Sequence, residues 1–184
     1  MPEIRDLLVG IGQRLNDIRI PARIGNHRLS LSTRSVSDLI EKYCIDILMS
    51  DTPGLVHSAG AGKAYDVVID TEPLTSINIK TELRGQYRYD AIWLCSESVL
   101  RRAPESLKDT LYYLRLEYTV NDLVTINQVS YAGPLTALAM NEKLIIYDKT
   151  SGRMTQADRE VDFRIARHYN GKHVHLLTDA FVNV

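Results

Sequence analysis

The chain has 184 residues, of which 45% are hydrophobic and 24% are charged. This length and composition predict one domain with an ordinary globular core, and they exclude a disordered or low-complexity chain. The formal net charge of -1 neither supports nor excludes a nucleic-acid partner, because binding to DNA depends on a local basic face rather than on the total charge.

The start of the chain and its cysteines indicate the cellular compartment. Residues 1–12 mix acidic, basic and apolar side chains, unlike a signal peptide, and no stretch of the sequence is apolar enough to span a bilayer. Cys44 and Cys95 both have apolar neighbours, which favours buried free thiols in a reducing compartment over a disulfide. We therefore expect a cytoplasmic protein without a membrane segment.

Two helices are predicted in a helical N-terminal part, residues 1–50. From residue 2 to about residue 20, apolar side chains recur at steps of three and four, which is typical of an amphipathic helix. Residues 32–35 offer hydroxyl groups for an N-cap, and an apolar stripe follows them to about Ser50. A loop is expected next, with a segment of small residues at 57–63.

A β-hairpin is predicted after that loop. Residues 64–70 are rich in β-branched side chains and form too short a run for a helix, so they are expected to be a strand. A turn at 71–75 contains Pro73, and residues 76–82 then alternate polar and apolar side chains with the period of a strand. The hairpin and the strand after it are expected to occupy residues 64–96.

The expected turn fixes the register of this hairpin. The expected pairs are Asp70 with Ser76, Val68 with Asn78, and Asp66 with Lys80. Because side chains alternate between the two faces of a strand, Asp66, Asn78 and Lys80 then project from one face. The opposite face is apolar and suited to packing on a helix, with Tyr65, Val67, Ile69, Ile77 and Ile79.

Beyond the hairpin, strands are predicted at 90–95, 143–147 and 173–177, and helices at 106–118 and 155–168. Helices before a hairpin-based sheet, with further helices interspersed, indicate one α/β domain over residues 1–184. Its sheet is expected to be mixed rather than doubly wound.

An Asp beside a Lys on one strand face suits phosphodiester hydrolysis. A carboxylate can hold Mg²⁺, which lowers the pKa of a bound water and neutralises charge developing on the phosphate. A Lys can position that water or stabilise the charged transition state, and the amide oxygen of Asn78 can be a further metal ligand. The simpler interpretation is an exposed salt bridge between Asp66 and Lys80, worth about 0.2–1 kcal/mol.

The segments at 62–69 and 77–81 resemble the catalytic core of PD-(D/E)XK nucleases, and in particular type II restriction endonucleases whose second motif reads Asn-x-Lys. The resemblance implies that Asp66 binds the metal and that Lys80 is the motif lysine. Asn78 stands where most members have Asp or Glu, which removes one negative charge and predicts weaker metal binding. The resemblance also implies a metal-linked glutamate on the preceding helix, for which Glu41 is the candidate.

For the whole chain, the resemblance implies a restriction-endonuclease-like fold, a mixed β-sheet flanked by helices with the hairpin at its centre. It implies an endonuclease that uses Mg²⁺, or Mn²⁺ as a substitute, to hydrolyse phosphodiester bonds in double-stranded DNA. Cutting both strands of a symmetric site predicts a homodimer, in which the first two helices are the expected contact. The alternatives are a non-catalytic DNA-binding protein of this fold, a structure-specific repair nuclease, and an interaction module in which Asp66 and Lys80 merely pair.

Further residues are candidates for DNA or metal binding. Arginine forms hydrogen bonds with phosphate or guanine, and glutamine can form them with adenine. The candidates for DNA contacts are therefore Arg34, Arg84, Gln86 and Arg88. An ordinary polar loop is an equally good interpretation of the last three. Additional metal ligands, or simply solvated hairpin ends, are Asp70, Glu72 and Glu82. A zinc site built on His168, His173 and His175 is disfavoured without a Cys pair or a clear third ligand, and a phosphate-binding loop at 58–64 is rejected because its spacing is wrong.

Overall fold

The computed structural model describes residues 4–15, 18–24, 27–28, 32–59, 65–84, 92–96, 105–141, 143–148, 153–157 and 174–184. Within these ranges the helices are α1 (Ile4–Leu15), α2 (Thr33–Asp51), α3 (Glu105–Lys108) and α4 (Leu135–Met140). The strands of the same ranges are β1 (Arg19–Pro21), β2 (Arg23–Ile24), β3 (His27–Arg28), β4 (Val56–Ser58), β5 (Val67–Ile69), β6 (Thr75–Leu83), β7 (Ile92–Ser96), β8 (Leu111–Val120), β9 (Leu123–Ala132), β10 (Leu144–Asp148), β11 (Arg153–Ala157), β12 (Val174–Thr178) and β13 (Val182–Asn183).

The main sheet has seven strands in the order β1-β9-β8-β6-β5-β4, with β13 also paired to β9. Strands β6 and β8 run parallel, and the other neighbours in this sheet pair antiparallel. A second sheet has the order β11-β10-β12-β7, and β2 pairs with β3. The predicted α/β class with a mixed sheet is therefore confirmed, whereas the finer restriction-endonuclease-like arrangement stays a prediction.

Helix α2 forms as its sequence predicts. The side chain of Ser32 accepts a hydrogen bond from the backbone N–H of Ser35 at 3.1 Å, which is the predicted N-cap. The buried stripe of the helix packs on one face of the main sheet and consists of Val36, Ile40, Cys44 and Leu48. Its partners in that core include Val67 and Ile77, so the apolar face of the hairpin packs against a helix as predicted, except that Tyr65 packs on a separate cluster.

Helix α1 is shorter than predicted. It ends at Leu15, whereas the apolar spacing continues to about residue 20, and Arg19–Pro21 is a strand paired with β9. Pro21 disfavours the helical conformation of Ile20, the residue before it, which opposes a helix that reaches residue 20. Gly12 of α1 lies against the chain's last residue, and a Cβ atom there would come within 2.6 Å of Val184.

The prediction of a helix at 106–118 is wrong. Only Glu105–Lys108 is helical, and Leu111–Val120 is the central strand β8. Residues 114–119 alternate apolar and polar side chains, which is the period of a strand, and the helix prediction overlooked this signal. Strand β9 and helix α4 were not predicted from the sequence.

Two smaller predictions also fail. Residues 155–157 belong to strand β11 instead of a helix, while the remainder of the predicted helix, 158–168, lies outside the described residues. His57 and Ser58 belong to β4, which pairs with β5, instead of a loop. By contrast, β7, β10 and β12 match the strands predicted at 90–95, 143–147 and 173–177 to within one or two residues of the described bounds.

A second hydrophobic cluster lies away from α2. Its buried members are Leu111, Tyr113, Ala132, Leu135, Leu138 and Leu144. Leu144 opens β10, so this cluster joins the second sheet to the main sheet. No helix in the described part of the chain is long and apolar enough to cross a membrane.

Candidate functional site

The hairpin of β5 and β6 holds the predicted site residues in a register that differs from the expected one. Val67 pairs with Ile77 and Ile69 with Thr75, so Asp66 lies level with Asn78 instead of Lys80. The backbone N–H of Asp66 donates to the carbonyl of Ile77 at 2.9 Å, which fixes this position.

The loop explains the difference in register. The hydroxyl of Thr71 donates to the carbonyl of Pro73 at 2.8 Å and lies 2.9 Å from the hydroxyl of Thr75, so the loop closes one residue earlier than predicted. The resulting shift is two residues, which preserves the face of every side chain because strands alternate with period two. Asp66, Asn78 and Lys80 therefore share one face, as the sequence predicts.

Asp66 is held by the backbone of the partner strand. One carboxylate oxygen accepts a hydrogen bond from the N–H of Ile79 at 2.6 Å. Partial burial raises the pKa of Asp66, against the opposing effects of the Ile79 N–H and the charge of Lys80. The hydrogen bond from Ile79 thus orients the carboxyl group through one of its oxygens.

Glu41 of α2 lies close enough to the hairpin for its charge to interact with the site. Burial raises the pKa of Glu41, the negative charge of Asp66 raises it further, and the positive charge of Lys80 lowers it. The neighbouring residue Ile40 is in the buried stripe that packs α2 on the hairpin, which places Glu41 at this position. The structure therefore brings together Glu41, Asp66 and Lys80, which are distant in sequence.

Asn78 completes the set of oxygen ligands that this arrangement can offer. It is half-buried, lies level with Asp66 and pairs with Tyr113 of the parallel strand β8. In the described residues, no group of three or more His, Cys, Asp or Glu side chains could hold a metal ion. A metal at this site would therefore need the two carboxylates of Glu41 and Asp66, together with the amide oxygen of Asn78 or backbone carbonyls.

The donor chemistry fits a hard divalent cation. Both carboxyl groups are partly buried with raised pKa values, and the charge of Asp66 contributes to the shift at Glu41, so a cation between them would offset this unfavourable interaction. The positive charge of Lys80 lowers both pKa values and so offsets part of the repulsion.

A charged network lies beside Lys80 on the same face of β6. Arg115 Nε is 3.3 Å from Glu82 Oε2, and Arg115 Nη2 is 3.7 Å from Glu117 Oε2. Arg84 Nε lies 3.5 Å from Glu117 Oε1, and the Arg115 guanidinium lies 5.7 Å from the ring centre of Phe181. Burial raises the pKa of Glu82 to about 7, since it outweighs the favourable charge of Arg115, and Glu117 raises it further.

The sequence analysis missed Arg115 and Glu117 because it placed them in a helix. The signal that could have found them is local: Tyr113, Arg115 and Glu117 alternate with Leu114 and Leu116, which is the period of a strand. The same network corrects the interpretation of Glu82, which was expected at a solvated hairpin end. Its side chain is only 17% exposed and pairs with Arg115.

The other candidates are scattered. Asp70 and Glu72 are exposed in the hairpin loop, as solvated residues would be, and Arg34 is exposed in the first turn of α2. Arg84 is exposed at the end of β6 but pairs with Glu117. Gln86, Arg88, His168 and His173 lie outside the described residues, as does most of the rejected phosphate loop, while the backbone of His175 lies in β12.

Cys44 is a buried free thiol, as predicted, and burial raises its pKa to about 12.

Comparison of the chain with models of protein families and with curated proteins gave no match.

Proposed function

We propose that this protein is a metal-dependent endonuclease that hydrolyses phosphodiester bonds in double-stranded DNA, in the manner of a type II restriction enzyme. The observation that supports the proposal is that Glu41, Asp66 and Lys80 lie close enough for their charges to interact. A helix and a hairpin each contribute a carboxylate, and Lys80 interacts electrostatically with both.

The residues have distinct roles in the proposed site. Asp66, oriented by the Ile79 N–H, and Glu41 hold Mg²⁺, with Asn78 as an additional oxygen ligand. When bound, Mg²⁺ lowers the pKa of a coordinated water and neutralises charge on the phosphate. Lys80 orients the attacking water or stabilises the negative charge that develops on the phosphate in the transition state.

The remaining parts of the proposal follow from symmetry and chemistry. Cleavage of both strands at a symmetric site is most simply performed by a two-fold homodimer. The missing acid at Asn78 supports a second candidate, a DNA-binding protein of the same kind with a weakened or inactive metal site. Such a protein binds DNA in a salt-sensitive way but does not cut it.

The test is cleavage of unmethylated plasmid and phage DNA with Mg²⁺ or Mn²⁺. The wild type is compared with Asp66→Asn and Lys80→Met, which preserve shape while removing charge, and with Glu72→Gln as an exposed control on the same hairpin. Lys80→Met is expected to lose about 100- to 1000-fold in turnover, as for removal of one electrostatic donor, and Glu72→Gln to retain activity.

Asp66→Asn keeps an acceptor for the Ile79 N–H, so its thermal unfolding should stay close to that of the wild type while its cleavage is lost. Equal cleavage by wild type and Asp66→Asn would refute the assigned site. Salt-sensitive DNA binding without metal-dependent cleavage in the wild type would favour the second candidate.

A further inference from the structure

A cleft of about 300 Å³ opens beside the candidate site. Its walls include Tyr65, Val68, Leu74, Ser76, Leu107 and Thr110. These residues come from the hairpin and from the segment around α3, so the cleft lies between the hairpin and the start of β8.

Some residues that line the cleft are neighbours of the candidate-site residues in the hairpin. Tyr65 directly precedes Asp66 in the chain, and Val68 pairs with Ser76. Ser76 lies two residues before Asn78, on the same face of β6, which corresponds to about 7 Å along a strand. A substrate whose phosphate reached Asp66 would therefore have a neighbouring group at the mouth of the cleft.

The lining suits a flat and neutral group. Among the described residues that line the cleft none is charged, which favours a neutral group over a phosphate or a carboxylate. Tyr65 supplies an aromatic ring, Val68, Leu74 and Leu107 supply aliphatic surface, and Ser76 and Thr110 supply hydroxyl groups. A nucleobase needs this combination, because its faces stack on rings or aliphatic groups and its edge forms hydrogen bonds.

We propose that the cleft receives an unstacked nucleobase next to the bond that is cut. The proposal rests on the proposed nuclease function and adds to it a preference for duplex DNA with an unpaired or mismatched base near the cleavage point. Removing a paired base from the duplex costs free energy, whereas a base that is already unpaired enters with less cost. The protein should therefore prefer the imperfect duplex.

The experiment measures binding without metal, in EDTA, so that it does not depend on catalysis. Fluorescence anisotropy compares a fully paired duplex with the same duplex carrying one unpaired base, at a fixed salt concentration. The wild type is expected to bind the second duplex about 10-fold more tightly or better. Two variants alter the cleft: Tyr65→Leu removes the ring while keeping bulk, and Val68→Phe fills the space.

Loss of base stacking predicts that Tyr65→Leu weakens binding of the unpaired-base duplex by about 5- to 150-fold, with little change for the fully paired duplex. Val68→Phe should also remove the preference. The matched control is Tyr43→Leu, which changes an exposed tyrosine on α2 and should preserve it. Thermal unfolding of each variant identifies any loss of folding, and if Tyr65→Leu is unfolded the Val68→Phe result decides.

The outcomes separate this proposal from the proposed function. Metal-dependent cleavage of paired DNA by a wild type that shows no preference for the unpaired base would overturn the cleft proposal alone. A preference that survives in folded Tyr65→Leu and Val68→Phe would do the same. Failure to bind either duplex in EDTA, together with no metal-dependent cleavage, would overturn both proposals, whereas the same failure beside metal-dependent cleavage would overturn the cleft proposal alone.

Discussion

Glu82 allows a quantitative test of the charged network. Its side chain is largely buried beside Arg115 and Glu117, and its pKa is raised from 4.5 to about 7. In the unfolded chain this carboxyl group regains an ordinary pKa, so between these values the folded state holds more protons than the unfolded state. The free energy of unfolding therefore falls as the pH rises through this window, and the stabilisation by the neutral form is lost above about pH 7.

The size of the effect follows from the shift. One pKa unit corresponds to about 1.4 kcal/mol, so this change in pKa gives up to about 3 kcal/mol between pH 5 and pH 8. The variant Glu82→Gln cannot ionise at this position and removes that contribution. We expect Glu82→Gln to gain up to about 3 kcal/mol relative to the wild type over this pH range.

The assay is urea unfolding of wild type and Glu82→Gln at several pH values, with the difference in unfolding free energy plotted against pH. Other titrating groups affect both proteins similarly and cancel in the difference. Glu72→Gln, which alters an exposed carboxylate of the hairpin loop, is the control and should give a much flatter difference. A Glu82→Gln difference that stays constant across the range would refute the assigned environment of Glu82.

Three further predictions test the core and the site. Ile40→Ala should lower the unfolding free energy by about 2–5 kcal/mol because Ile40 is fully buried. Leu39→Ala, on the exposed side of α2, should change the unfolding free energy by about 0.5 kcal/mol or less. Equal losses in the two variants would contradict the described orientation of α2. In a Cys95→Ser variant, Cys44 should react with a thiol reagent only when the protein unfolds, because the thiol is buried and its pKa is raised to about 12. Rapid labelling of the native variant would contradict this prediction. If Mg²⁺ binds Glu41 and Asp66 as proposed, it should raise the melting temperature, and the rise should grow with pH because protons compete with the metal for carboxyl groups whose pKa values are raised. A rise that is independent of pH under acidic conditions would count against these ligands.

The sequence predicts those parts of the fold that depend on local signals. Helix α2 follows from the hydroxyl cap at Ser32 and the stripe through Ile40, and both lie within one segment. The hairpin follows from alternation, and the shared face of Asp66 and Lys80 is correct despite the wrong register, because a shift of two residues does not change faces.

Local sequence patterns could not predict the contacts between segments that are distant in the chain. The strand period of β8 is present in its local sequence, but its parallel pairing with β6 depends on the tertiary fold. Because Arg115 lies on that strand, the ion pair with Glu82 could not be predicted before the pairing of β6 with β8 was known. The coupling of Glu41 to Asp66 also depends on tertiary packing, and the sequence offered it only through the family resemblance.

The parallel pairing of β6 with β8 also has a consequence for how fast the protein acquires its native state. Ser76 pairs with Leu111, although β7 and α3 lie between them in the chain, so this contact closes a long loop. Contacts between distant segments slow folding, because chain entropy is lost before the contact contributes stability. The hairpin with Asp66 and Lys80 can form early from neighbouring residues, whereas Arg115 reaches Glu82 only after the slower closure. Refolding should therefore pass through a transition state in which the hairpin is more ordered than the charged network beside it.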